Sequence, residues 1–180
     1  DPDEALLEAV AIELGEDSRV DWDGPVAFGR TEGFCYEIDG GVWLPAGDLE
    51  ELGVEKFALL GTDYVYPRTT NNILESYLKS KGIAEEDIFV NYTPFGHSDW
   101  ATIVADVVAL GADGKKVGVI STINGDANVP FYRELGAQGI DAIDIPVVAF
   151  SVGEEELAGI DTEPLIGHLA AWNYFMSVDT

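Results

Sequence analysis

The stretch VEKFALLGTDYVYPRTTNNILESYLKSKG, residues 54–82, decides the fold. Its opening run, Lys56 to Gly61, is short and apolar, the signature of a strand covered on both faces. The second half places Ile73, Leu74, Tyr77 and Leu78 at helical spacing and stops at Gly82, so Thr69 to Lys81 reads as a helix. A fully covered strand followed at once by an amphipathic helix is half of a parallel crossover unit.

The same rhythm continues downstream. Asp87 to Tyr92 reads as the next strand; Ser98 or Asp99 then caps a helix that carries Ile103, Val104, Val107, Val108 and Leu110 and closes at Gly111. Lys116 to Ser121 is a third strand, and Asn128-Val129-Pro130 opens a helix to about Gln138, with proline in its tolerated first turn. Ile145 to Phe150 is a fourth strand, Ser151 to Leu157 a short helix and Ile166 to Ala171 a fifth strand. Right-handed crossovers place such helices on both faces of the sheet, which makes residues 54–180 a doubly wound, Rossmann-like α/β lobe. Residues 1–53 are weaker in pattern. An amphipathic helix carries Leu6, Leu7, Val10, Ala11 and Leu14, a strand covers 25–29, Asp39-Gly40-Gly41 turns, and Asp48 to Leu52 forms one helical turn before Gly53.

Charge narrows the partners. The 180 residues include 34 acidic and 9 basic side chains, a formal net charge of −25, which repels phosphate backbones and anionic headgroups. Lys115-Lys116 is the only adjacent basic pair, so nucleic acid is excluded as a partner. With 47% hydrophobic residues the chain can fill one sizeable core. No apolar run is long enough to cross a bilayer, so direct membrane insertion is not expected. Cys35 is the only cysteine, which excludes an intrachain disulfide and a cysteine-based metal site. The start, Asp1-Pro2-Asp3-Glu4, has neither initiator Met nor signal-peptide pattern and reads as processed, trimmed or internal. The acidic excess over few lysines matches a high-salt, halophilic adaptation, in which screening relieves self-repulsion.

In a parallel sheet, ligands gather at the loops beyond the carboxyl ends of the strands. After the first strand, Tyr64 and Tyr66 stand at i and i+2 in a stretch read as extended, projecting alike as a pocket wall or packing on the sheet. After the second, His97-Ser98-Asp99 cannot form a triad relay from three consecutive positions, and Ser98 and Asp99 are more simply helix caps. After the third, Asn124-Gly125-Asp126 makes a dense hydrogen-bonding loop in which Asp126 accepts ligand N–H groups or serves as a capping acid. It lacks the glycine spacing and lysine of a phosphate loop. After the fourth, Ser151 and Glu154 fit a capping box, and Glu155 and Glu156 leave spare carboxylates for a ligand amine or amide. The spacing of Asp63, His97, Asp126 and Glu154 singles out no metal, and no cofactor is called for.

Five segments together carry a family resemblance: Gly61 to Asn71, Pro94 to Asp99, Thr122 to Asn128, Phe150 to Leu157 and Gly167 to Phe175. In this order they resemble the urea and short-chain-amide ABC transporter substrate-binding proteins, of the type 1 periplasmic binding protein family, which has an amide-sensing regulator as a close relative. The resemblance implies two α/β lobes closing on a ligand. Residues 54–180 correspond to one lobe, and residues 1–53 to a divergent remnant of, or replacement for, the other. Upstream, only Thr31-Glu32-Gly33-Phe34 is similar to a first-lobe stretch. The resemblance further implies that Tyr64 and Tyr66 line the amide site and that the Asn124–Asn128 loop and the Ser151, Glu154 and Glu155 turn contribute to it.

The expected function is therefore delivery of a small neutral amide, urea or a short aliphatic one, to an ABC transporter permease, in a periplasmic or extracellular setting. A sensor that holds the same ligand and controls a protein partner is the first alternative. An amide hydrolase is the second, but no Gly-x-Ser-x-Gly elbow, activated cysteine or two-histidine metal motif supports an enzyme.

Overall fold

The computed structural model describes residues 36–38, 41–43, 49, 52–153, 156 and 162–171. The helix expected over 4–14, the strand over 25–29, the segment 31–34 and Cys35 lie outside these residues. Two short antiparallel strands, β1 (Tyr36–Ile38) and β2 (Gly41–Trp43), pair with Ile38 opposite Gly41; Asp39 and Gly40 of the expected turn lie outside the described residues.

The lobe itself is a five-stranded parallel sheet. In chain order its elements are β3 (Lys56–Thr62), α1 (Val65–Ser80), β4 (Ile88–Thr93), α2 (Ala101–Leu110), β5 (Val117–Thr122), α3 (Asn128–Ala137), β6 (Val147–Ala149) and β7 (Leu169–Ala170). The spatial order β4-β3-β5-β6-β7 puts the first strand of the lobe between its second and third, so the winding reverses between β3 and β5. All four pairings are parallel.

Alternation along the covered strands feeds two cores. Phe57, Leu59, Ile120 and Val148 face α1 through Leu74 and Leu78, joined by Leu49 from upstream. Ala58, Leu60, Val119, Val147 and Ala149 face α2 and α3 through Trp100, Val104, Val107, Phe131 and Leu135. Each fully buried Leu or Phe contributes roughly 1.5–3 kcal/mol, so both faces are held mainly by hydrophobic burial. Helix α1 ends where expected: Gly82 takes a φ of 91°, and the Ile83 N–H reaches back to the Leu78 carbonyl at 3.1 Å.

At the amino end of the sheet, Lys56 is nearly buried, and its Nζ donates to the Leu110 carbonyl at 2.9 Å and contacts Asp113 at 3.0 Å and Asp87 at 3.2 Å. Lys115 contacts the other Asp87 oxygen at 2.9 Å. The Lys115 hydrogen bond holds the Asp87 carboxyl below the usual range, and the Lys56 hydrogen bond does the same for Asp113. The cluster pins the start of β3 to the end of α2 and the approach to β4.

Several expected boundaries move. Helix α1 begins at Val65, not Thr69, and takes in Tyr66 and Pro67. Helix α2 is entered through Trp100 with no side-chain cap, so neither Ser98 nor Asp99 caps it; Trp100 is buried against Phe131, ring centroids 5.1 Å apart. Val108, expected on its inner face, is 45% exposed. A 3-10 turn, Gly125–Ala127, precedes α3. The fourth and fifth strands are shorter than expected.

Candidate functional site

The carboxyl ends of β3 and β5 flank the point where the winding reverses, and it is beyond such a point, where chains leave adjacent strands in opposite directions, that parallel sheets form their ligand crevice. Thr62, the last residue of β3, ties its two walls together. Its carbonyl accepts the Tyr64 N–H at 2.9 Å, and its hydroxyl accepts the Asn124 N–H at 2.9 Å from the loop after β5. One buried threonine thus links two of the loops that the sequence singled out.

The first wall is aromatic. Tyr64 is the extended N-cap residue of α1 and Tyr66 lies in its first turn, so the two do not project alike from one extended stretch. The helical turn brings them together nonetheless, with ring centroids 5.9 Å apart, and Phe95 from the loop after β4 lies 5.0 Å from Tyr64. Both tyrosines are half-buried, whereas Phe95 is 64% exposed. Beside them Arg68 contacts Asp63 at 2.6 Å and lies 4.5 Å over the Tyr92 ring. That guanidinium hydrogen bond lowers the Asp63 carboxyl. Gly61 permits the close fit: a Cβ there would stand 2.5 Å from Thr122 Oγ1 and 2.8 Å from Pro67 Cβ.

The second wall is polar. Asn124 donates Nδ2 to the Thr122 carbonyl at 2.9 Å, and Asn128 donates Nδ2 to the carbonyls of Ile123 at 3.1 Å and Gly125 at 3.2 Å. Asn128 is therefore the clasp of the loop and Asn124 its half-exposed tip, while Asp126 is exposed within the 3-10 turn and makes no cap there. Ser151, expected as an N-cap, is buried just beyond β6, and its Oγ has no partner among the described residues. Two residues beyond Ser151, the Gly153 N–H donates to Glu156 at 2.8 Å. Glu154 and Glu155 lie outside the described residues.

Sequence reasoning missed the hydroxyl row that closes the strands. Thr62, Thr93 and Thr122 end β3, β4 and β5, and Ser151 follows β6, all of them buried. The signal was present as an apolar run closed by Thr or Ser four times over. His97 is held locally, its Nε2 2.8 Å from the Asp99 carbonyl. Among the described residues no group of three or more His, Cys, Asp or Glu could hold a metal ion, and no helix is long and apolar enough to cross a membrane.

Three solved structures share the fold. An amino acid ABC transporter substrate-binding protein from Pseudomonas fluorescens Pf-5 is 16% identical with a TM-score of 0.61, matching 75% of this chain and 35% of its own length. A solute-binding protein of an ABC transporter from Rhodopseudomonas palustris HaA2, in complex with p-hydroxybenzoic acid, is 20% identical with a TM-score of 0.63, over 75% of this chain and 36% of its own. A branched-chain amino acid ABC transporter periplasmic ligand-binding protein from Burkholderia xenovorans LB400 is 17% identical with a TM-score of 0.56, over 74% and 34%. The chain thus spans about a third of the length of these structures. Residues 46–180 match the family model described as periplasmic binding protein domain, three quarters of the chain on a parallel sheet of the matching kind, and the chain belongs to that family.

Proposed function

We propose that residues 54–180 form the ligand-binding lobe of a substrate-binding protein for urea or a short aliphatic amide, which it delivers to the permease of an ABC importer from a periplasmic or extracellular position. The observation that carries this reading is that, at the winding reversal, Thr62 joins a tyrosine wall to the Asn124–Asn128 loop. Urea and acetamide offer N–H donors and one carbonyl, so they need carboxylate or amide oxygens on one side and hydroxyl donors on the other. Asn124 and Asp126 supply the first, and Tyr64 and Tyr66 the second. Ser151 follows the strand next to β5, and Glu154 and Glu155, close behind it in sequence, complete the proposed set of ligand carboxylates. The solved relatives named for amino acids or holding p-hydroxybenzoic acid have acids as ligands; the preference for a neutral amide rests on the acidic loops and on the five segments.

A titration of the chain with urea, acetamide, glycine and p-hydroxybenzoate, followed by amide chemical shifts and light scattering, tests the proposal. An ideal site yields at most about 1.5 kcal/mol per heavy atom, or about 6 kcal/mol for urea, and a single wall falls well short of that. The expected result is millimolar binding of urea or acetamide by a monomer, with shifts at Tyr64, Tyr66 and Asn124 to Asp126. Shifts with the acids alone, or with none of the four, reject the amide reading, and micromolar binding by a monomer rejects the single-lobe reading.

A further inference from the structure

We infer that Thr62 and Thr122 together orient Asn124 as an acceptor-only specificity residue, so that this crevice selects ligands bearing N–H donors over their carboxylate counterparts; the inference rests on the ligand-binding reading above. Asn124 has two of its polar groups already committed. Its backbone N–H is tied to Thr62 Oγ1 at 2.9 Å and its side-chain Nδ2 to the Thr122 carbonyl at 2.9 Å. A main-chain carbonyl can only accept, so the nitrogen of the amide must face Thr122 and the orientation is fixed by chemistry. Oδ1 is then the atom left over. The residue is half-exposed, and among the described residues its side chain bonds only through Nδ2.

The anchors are themselves held. Thr62 is fully buried at the end of β3, and Thr122 is fully buried, with its hydroxyl shared between the Leu60 carbonyl at 3.2 Å and Asn71 Oδ1 at 3.3 Å. Asn128 clamps the carbonyls of Ile123 and Gly125 on either side of Asn124, leaving the tip little freedom to turn its amide around. Two residues on, Asp126 adds an exposed carboxylate, another acceptor. These two side-chain oxygens can only accept, so they offer a carboxylate no donor to accept from, whereas the amide NH2 of acetamide finds a partner.

Acetamide and acetate form the test pair, since they match in shape and differ in one NH2. A net charge of −25 disfavours any anion, so the preference of the parent decides nothing; the change in that preference between variants of equal charge does. Thr62→Val removes the hydroxyl that holds the Asn124 N–H, and Thr62→Ser keeps it. Both are compared with the parent by titration with acetamide and with acetate and by hydrogen exchange of the Asn124 amide. The expected result is that Thr62→Val lowers the acetamide-to-acetate affinity ratio at least fivefold and speeds Asn124 exchange at least tenfold, while Thr62→Ser restores both. An unchanged ratio in Thr62→Val overturns the inference, as does a Thr62→Ser variant that behaves like Thr62→Val. If the parent binds neither probe, the ligand reading and its selectivity fall together, while the exchange rates still decide the threonine latch: acceleration in Val but not Ser upholds it, and equal rates in all three overturn it.

Discussion

Replacing Gly61 by alanine adds one methyl group at the tightest point of the lobe. Position 61 has no positive φ, so alanine suits its backbone, and reduced freedom of the unfolded chain alone would stabilise by about 0.4–1 kcal/mol. The contacts oppose this. The new Cβ would lie 2.5 Å from Thr122 Oγ1, 2.8 Å from Pro67 Cβ and 3.3 Å from Asn71 Nδ2. Proline cannot rotate away, and turning Thr122 breaks its bonds to Leu60 and Asn71, worth about 0.5–1.5 kcal/mol apiece. Overpacking of this kind typically costs about 1–3 kcal/mol. Adding the lost bonds and subtracting the entropic gain leaves a net destabilisation of about 3 kcal/mol at mid-range, or a fall in melting temperature on the order of 6–12 °C. Urea unfolding of Gly61→Ala, Thr122→Ala and the double variant measures it, with the double variant losing less than the sum because the 2.5 Å clash is gone. A Gly61→Ala protein as stable as the parent, or a strictly additive pair, refutes the reasoning.

Tyr64→Phe and Tyr66→Phe keep the rings and remove the hydroxyls, so each is expected to weaken acetamide binding by roughly 0.5–1.5 kcal/mol with little change in the unfolding midpoint; unchanged affinity in both assigns them to packing. The carboxyls of Asp87 and Asp113 sit below their ordinary range, so the stability they contribute is present above about pH 4 and is lost as pH falls through their folded-state values. Asp113→Asn is therefore expected to flatten the acid limb of a stability–pH profile, and a limb identical to the parent's removes this cluster from the explanation. Raising salt from low to molar concentration is expected to raise the melting temperature by screening the −25 charge, and a salt-independent melt rules out self-repulsion as a stability factor.

The covered strands were legible because each is an uninterrupted apolar run, and β3, β4 and β5 lie within one residue of their expected places. The start of α1 was not. Tyr64-Val65-Tyr66 has strand-like composition and Pro67 reads as a break, yet a proline third in a helix forfeits an N–H that has no intrahelical acceptor anyway. At α2, local preference favoured Ser98 and Asp99 as caps, but burying the Trp100 ring against Phe131 outweighs one capping bond and sets where the helix begins. The candidate site was half legible. Loop composition marked the tyrosines and Asn124, whereas the role of Thr62 depends on Asn124, 62 residues away, and only the sheet pairing reveals it.

The strand order also sets a timetable for synthesis. β3 stands at the centre of the sheet but comes first in the lobe, and its partner in β5 lies 61 residues later, Gly61 against Thr122. At roughly 5–20 residues per second, a ribosome takes about 3–12 s to cover that interval. During those seconds Phe57, Leu59 and Leu60, fully buried in the finished lobe, have nothing on one side to pair with. The central strand is thus the segment of the nascent chain most exposed to misassociation and the first place a chaperone would find to hold.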